Sequence, residues 1–196
     1  MGKLYWIAAA FFAALATHAA FVLAVPAYTL DRSLSSVLEH AGANHFVVLK
    51  PEDQQRLFPG YPPNSVAGIC AFDVSKADVK FTADMAPGYW TLTIYSRSGQ
   101  VLYALNDTQA GSGQFTVKLK RAPGLIEMLT QPGSDDAIAE AGWNLDTPEP
   151  RGIAVLWQPA GDPAERAGIQ RGLAKTSCAP MPPKASVSVP SAATKA

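Results

Sequence analysis

Two runs of alternating apolar and polar residues dominate the chain. From Pro87 to Asp107, Trp90, Leu92 and Ile94 fall on one face of an extended chain, and Tyr89, Thr91, Thr93 and Tyr95 on the other. Aromatic and β-branched residues suit a pleated, half-buried surface, so the run predicts a strand. Ser96-Arg97-Ser98-Gly99 then makes a turn, with Gly99 placed for a left-handed conformation, and Val101–Leu105 returns as the second strand of a hairpin with Tyr103 at its middle. Further on, Phe115, Val117 and Leu119 alternate with Thr116, Lys118 and Lys120, the pattern of a strand wet on one face.

Shorter runs extend the β pattern. Strands are predicted over 45–49, over 66–74 with Cys70, Phe72 and Val74 on a common face, and over 79–83 after the turn Ser75-Lys76-Ala77-Asp78. Residues 143–146 and 152–158 read as the last two strands, separated by Thr147-Pro148-Glu149-Pro150, where neither proline can donate to a ladder. Residues 52–63 read as a proline-rich loop that drapes Phe58 and Tyr61 over the core or lines a ligand cleft. Residues 109–113 read as a polar loop. Residues 125–141 hold a short strand or helical turn around Ile126, Met128 and Leu129, then a short helix from Asp136 to Glu140.

Helical spacing appears twice after the first 27 residues. Leu30, Leu34, Val37, Leu38 and Ala41 mark an amphipathic helix from Thr29 to Ala41, suited to packing on its own domain or on a membrane surface. Asp162, Pro163 and Glu165 are an N-cap, a first-turn proline and a capping-box acid, and they open a helix to about Lys175 that buries Ile169 and Leu173. The fold expected is mainly β: an antiparallel, jelly-roll-like β-sandwich over 44–178 with short flanking helices. A helix or linker over 28–43 precedes it. The Pro-, Ala- and Ser-rich tail 179–196 is expected to be disordered.

The first 27 residues stand apart. Leu4 to Val25 contains no charged residue and is long enough to cross a hydrocarbon core of about 30 Å. Tyr5 and Trp6 sit at its start, where amphipathic rings favour the interface. His18 inside it reads as a neutral imidazole near the far end, with a proton or metal site as the rival reading. The segment reads as an uncleaved single-pass anchor, with a cleaved signal peptide ending at Val25-Pro26-Ala27 as the alternative. Lys3 against Arg32 puts the N-terminus in the cytoplasm and the folded domain outside the cytoplasmic membrane, in the periplasm.

Charge and motifs narrow the chemistry. Sixteen basic residues balance sixteen acidic ones, without the basic stripe of a nucleic-acid binder. There is no Gly-x-Ser-x-Gly elbow, no phosphate loop and no dinucleotide fingerprint, so no cofactor is implied. His40 and His45 lack the spacing of a metal pair and read as surface loop residues. Cys70 and Cys178 are the only cysteines. They either form a disulfide, which an oxidising compartment permits, or remain a buried core thiol and a free one.

The runs Ile69-Cys70-Ala71-Phe72-Asp73, Gly88-Tyr89-Trp90-Thr91-Leu92-Thr93-Ile94-Tyr95, Asn106-Asp107 and Pro148-Glu149-Pro150-Arg151-Gly152 resemble a bacterial envelope family. That family carries the paired domains of unknown function 1254 and 1214 (DUF1254/DUF1214), and the resemblance is to its small membrane-anchored members. The pattern Tyr-Trp-x-Leu-x-x-Tyr with a glycine four residues on carries most of it, within Ala67–Cys178. The resemblance implies a compact envelope β-sandwich and no established activity.

Two functional classes follow. A non-catalytic module binds an envelope protein or small ligand through Tyr89, Tyr95 and Tyr103, with Asn106, Asp107 and Arg151 as polar contacts. A hydrolase-like enzyme acts on an envelope glycan or lipid through acids drawn from Asp73, Asp107, Asp146 and Glu149. The first is preferred, because the sequence lacks any recognisable catalytic set; strand-end Asp and Asn commonly bond their own backbone, and Glu149 can pair with Arg151.

Overall fold

The computed structural model describes residues 2–124 and 142–182. Helix α1 (Gly2–Ala41) leads to β1 (Phe46–Val48), α2 (Pro51–Leu57), β2 (Ser65–Asp73), β3 (Val79–Asp84), β4 (Thr91–Ser96), β5 (Val101–Asn106) and the short α3 (Asp107–Ala110). Then come β6 (Gln114–Arg121), β7 (Trp143–Thr147), β8 (Arg151–Pro159), α4 (Pro163–Leu173) and β9 (Ser177–Pro180). Five strands form one sheet in the order β1-β2-β8-β4-β5, and four form the other in the order β7-β6-β3-β9. The result is a β-sandwich entered through a long apolar helix.

The alternation in sequence decides what lies between the sheets. Trp90, Leu92 and Ile94 meet Phe81, Val117 and Leu119 in the core, with Trp90 stacked on Phe115 at 4.6 Å between ring centroids. Gly68 and Gly152 make room inside: a Cβ on Gly68 would strike the Phe46 ring, and one on Gly152 the Phe72 ring. Glycine within a strand marks such close approaches. Cys70 on β2 and Cys178 on β9 are joined by a disulfide, Cα–Cα 6.4 Å, which staples one sheet to the other across the core.

Several elements differ from the sequence reading. The predicted break between anchor and amphipathic helix is absent: α1 runs unbroken past Pro26, and His40 lies in it rather than in a loop. Val37 is buried on the five-stranded sheet with Leu38 beside it; the side chains of Leu30, Leu34 and Ala41 lie outside the described residues. Residues 51–57 are helical, because Pro51 occupies the first turn and Glu52 and Asp53 suit its positive end. Residues 107–110 form a helical turn rather than loop, closed by a capping box between Asn106 and Gln109 and by left-handed Gly111. The connections 74–78 and 148–150 are not hairpin turns. Both cross from one sheet to the other, side by side, and the Val74 N–H donates to the Pro150 carbonyl. β7 runs parallel to β6, so the sandwich is not wholly antiparallel. The chain adds a last strand, β9, at residues 177–180, where the tail was expected to begin. The elements expected within 125–141 and the tail from 183 onward lie outside the described residues.

Helix α4 matches its start signals. The Asp162 side chain accepts from the Glu165 N–H, Pro163 opens the helix, and Ile169 and Leu173 are buried. Arg166 donates to the Pro63 carbonyl and ties the helix to the loop before β2.

Candidate functional site

The six residues proposed as ligand contacts do not converge. Asn106 is opposite Thr91, and Thr91 is opposite Trp157, at one end of the five-stranded sheet. Arg151 lies at the other end, opposite Asp73. The five steps along β4 from Thr91 to Ser96 separate these ends by about 17 Å. Tyr89 belongs to the first end and Tyr95 to the second. Tyr103 leaves the shared tyrosine face altogether. The register shifts between Ile94 and Tyr95, so that Tyr95 pairs with Val101 but Ile94 with Tyr103. Leu102 is the extra residue, and a one-residue slip exchanges the faces of a strand. Tyr103 therefore packs against the inner core.

At the Arg151 end the polar residues hold the fold together. The Arg151 Nε donates to Asp73 at 2.8 Å, and the Ser75 N–H donates to the other Asp73 oxygen. Burial tends to raise the Asp73 carboxyl, but the Ser75 hydrogen bonds and the Arg151 guanidinium outweigh it and hold it below the usual carboxylate range. Glu149 does not take Arg151; it accepts from the Ser98 N–H at the hairpin turn. Asn44, in a left-handed conformation at φ 59°, bonds both the N–H and the carbonyl of Asp73 and ends the approach of α1. Asn106 at the far end is occupied as the N-cap of α3. One Asp107 oxygen is buried without a partner beside Trp90, whose carbonyl accepts from the Asp107 N–H.

Among the described residues two surfaces remain. The outer face of the five-stranded sheet carries an aromatic group: Phe58 stacks on Tyr61 at 5.3 Å, and Tyr61 and Tyr89 both meet Trp157, at 5.6 and 6.0 Å. Phe58 and Tyr61 thus drape over the outer apolar layer on Ala67, Ile69 and Val155. Burial first, and the neighbouring Tyr95 second, push the Tyr61 phenol well above the usual tyrosine range. The Trp157 indole N–H is buried without a partner. Tyr89 is 53% exposed at the rim of this group.

The outer face of the four-stranded sheet is polar and bears a groove of about 560 Å³. Thr82 and Thr116 are partners across β3 and β6, and Asp84 and Gln114 are the next pair on that face. Ser112, Trp143 and Lys175 complete the rim. None of these residues stood out in the sequence as a site. The strict alternation of 115–120 marks a wet face there, but only the strand order puts β3 beside β6. Among the described residues no three His, Cys, Asp or Glu side chains are grouped to hold a metal.

No family model matches the chain, and no curated protein matches it. A solved structure shares the fold. The VPA0106 protein from Vibrio parahaemolyticus superposes with a TM-score of 0.55 over 81% of this chain, at 14% identity. An uncharacterised protein from Burkholderia cenocepacia gives a TM-score of 0.47 over 68% of the chain, at 17% identity. The chain spans 38% of the first and 36% of the second. The likeness to the Vibrio protein is one of fold, and it confirms the sandwich.

Proposed function

We propose that the chain is a single-pass envelope protein of the cytoplasmic membrane. Its β-sandwich stands in the periplasm as a non-catalytic binding module, and it is a small member of the family carrying the domains of unknown function 1254 and 1214. One observation carries the reading most. A chain that opens with a 24-residue apolar segment, Gly2–Val25, closes its folded domain with a disulfide between sheets. Disulfides persist in oxidising compartments and are rare in the cytosol. The Tyr-Trp-x-Leu-x-x-Tyr hairpin supports the family. The non-catalytic part of the reading is supported by what the polar residues do: Asp73, Asn106, Glu149 and Arg151 are occupied by bonds that close loops and caps.

Cells quenched in acid and alkylated under denaturing conditions with a mass-tagged maleimide test the reading. The expected result is two tags per chain only after reduction, and digestion of the domain by protease added to spheroplasts. Two tags without reduction, or protection of the domain until lysis, would overturn it.

A further inference from the structure

We propose that the groove on the outer face of the four-stranded sheet binds a short segment of an uncharged glycan. The inference rests on the binding-module reading and names its ligand class. The volume, about 560 Å³, lies within the range of small-ligand sites, about 300–1,000 Å³. The lining chemistry then selects the ligand.

The floor is a pair of rungs. Thr82 faces Thr116, and Asp84 faces Gln114 one rung further toward the end of the sheet. Hydroxyl and amide side chains both give and accept hydrogen bonds, and a carboxylate accepts. A sugar hydroxyl also does both, so adjacent ring hydroxyls find complementary partners along these rungs. A phosphate or carboxylate ligand offers acceptors only. It would meet the Asp84 charge, which among the described lining residues only Lys175 offsets. Among the described residues of the lining, one acid and one base leave no net charge, which favours a neutral ligand. Trp143 and Ala110, both half-buried, supply apolar surface beside the polar floor, while Phe115 is stacked on Trp90 in the core. The mixture suits a pyranose, whose ring carries C–H groups on its faces and hydroxyls around its edge. Gly142 keeps the threonine row open, since its backbone lies so close that a Cβ would come within 2.8 Å of the Thr116 carbonyl oxygen.

The test uses the full chain in phosphatidylcholine nanodiscs, which avoid sugar-based detergents. Cellotetraose, chitotetraose and maltotetraose are titrated calorimetrically, each to about 10 mM. The expected result is saturable binding of at least one, unchanged between about 50 and 500 mM salt, as suits a neutral ligand. Thr82→Val/Thr116→Val, which keeps side-chain shape, should weaken it by about fivefold or more, and so should Gln114→Ala at an exposed position. Tyr61→Phe on the opposite sheet should leave it unchanged. Three results would each overturn the proposal: no saturable binding of any of the three sugars, binding that survives both groove variants, or affinity that collapses with salt. The alkylation and protease experiment reads compartment and topology independently. A failed groove and a failed envelope assignment therefore give different results.

Discussion

The two sheets share one core but differ on their outer faces. On the five-stranded sheet, Ala67, Ile69, Ala71, Ile153 and Val155 form a second apolar layer, covered by Val37 of α1 and flanked by Leu57, Phe58 and Tyr61. On the four-stranded sheet the equivalent positions are Lys80, Thr82, Asp84, Gln114, Thr116 and Lys118. Strands β2 and β8 are buried on both faces, whereas β3 and β6 alternate. An antiparallel sheet can leave one face wet only if its outward residues tolerate water. Here one sheet does and the other needs a cover, and the chain supplies that cover from the segment joining the apolar helix to the sandwich. One face is thereby committed to architecture, and the other, among the described residues, is left wet.

The largest expected effect comes from cutting the link between the two sheets. Cys178→Ser opens a loop spanning a separation of 108 residues, which chain-entropy reasoning values at about 4–5 kcal/mol. Urea unfolding should show the loss, and hydrogen exchange should quicken first along β9 and its partner β3, with β2 and β8 protected longest. Equal quickening in both sheets would mean that they do not differ in their support.

Ile153→Ala, beneath the cover, should cost about 2–5 kcal/mol, whereas Thr116→Ala, on the wet face, should stay within about 0.5 kcal/mol. Similar losses at the two positions, measured by urea midpoint, would erase the contrast.

Arg151→Ala should cost at most about 1 kcal/mol, since the guanidinium is half exposed. Its signature lies in pH. The folded-state carboxyl of Asp73 sits below its ordinary 3.8, so its contribution is present above that value and is lost as pH falls through the folded value. A thermal-melt series from pH 6 to pH 2 should be flatter in the variant than in the wild type.

The smallest effect is expected from Tyr61→Phe, and it appears only in alkali. The folded phenol lies above its ordinary 10.0, so the stability it contributes is complete below pH 10 and is lost as pH rises beyond it. The variant should lose less stability than the wild type between pH 9 and pH 11. Identical alkaline profiles would place that hydroxyl in water rather than under the aromatic cover.

The local devices of the fold were legible. The hairpin, the wet strand and the start of α4 each rest on neighbours within a few residues, such as Gly99 at φ 89° and the Asp162 cap. The misses have two physical causes. Lys50-Pro51-Glu52-Asp53 carries a helix start, but the prolines that follow it drew the whole segment into a loop reading. β9 is Ser-Cys-Ala-Pro, with almost no strand propensity of its own; the β3 edge and the disulfide hold it. The candidate site was legible only as a list. Tyr103 shows why: a single extra residue, Leu102, moves it to the other face, and no local pattern announces a bulge. The groove was invisible because its two rungs come from strands some 30 residues apart, and only their adjacency makes a surface.

Helix α1 also sets a bearing. Twelve residues separate Val25, at the end of the apolar segment, from Val37 on the sheet, a rise of about 18 Å at 1.5 Å per residue. Each residue also turns the helix by about 100°. On the anchored reading, residue count between these two points fixes both the height of the sandwich above the bilayer and the compass direction in which its open face looks. Removing one residue would lower the domain slightly but swing that face by more than a quarter turn, away from any partner held in the same membrane. Removing about seven, close to two full turns, would restore the heading at a lower height.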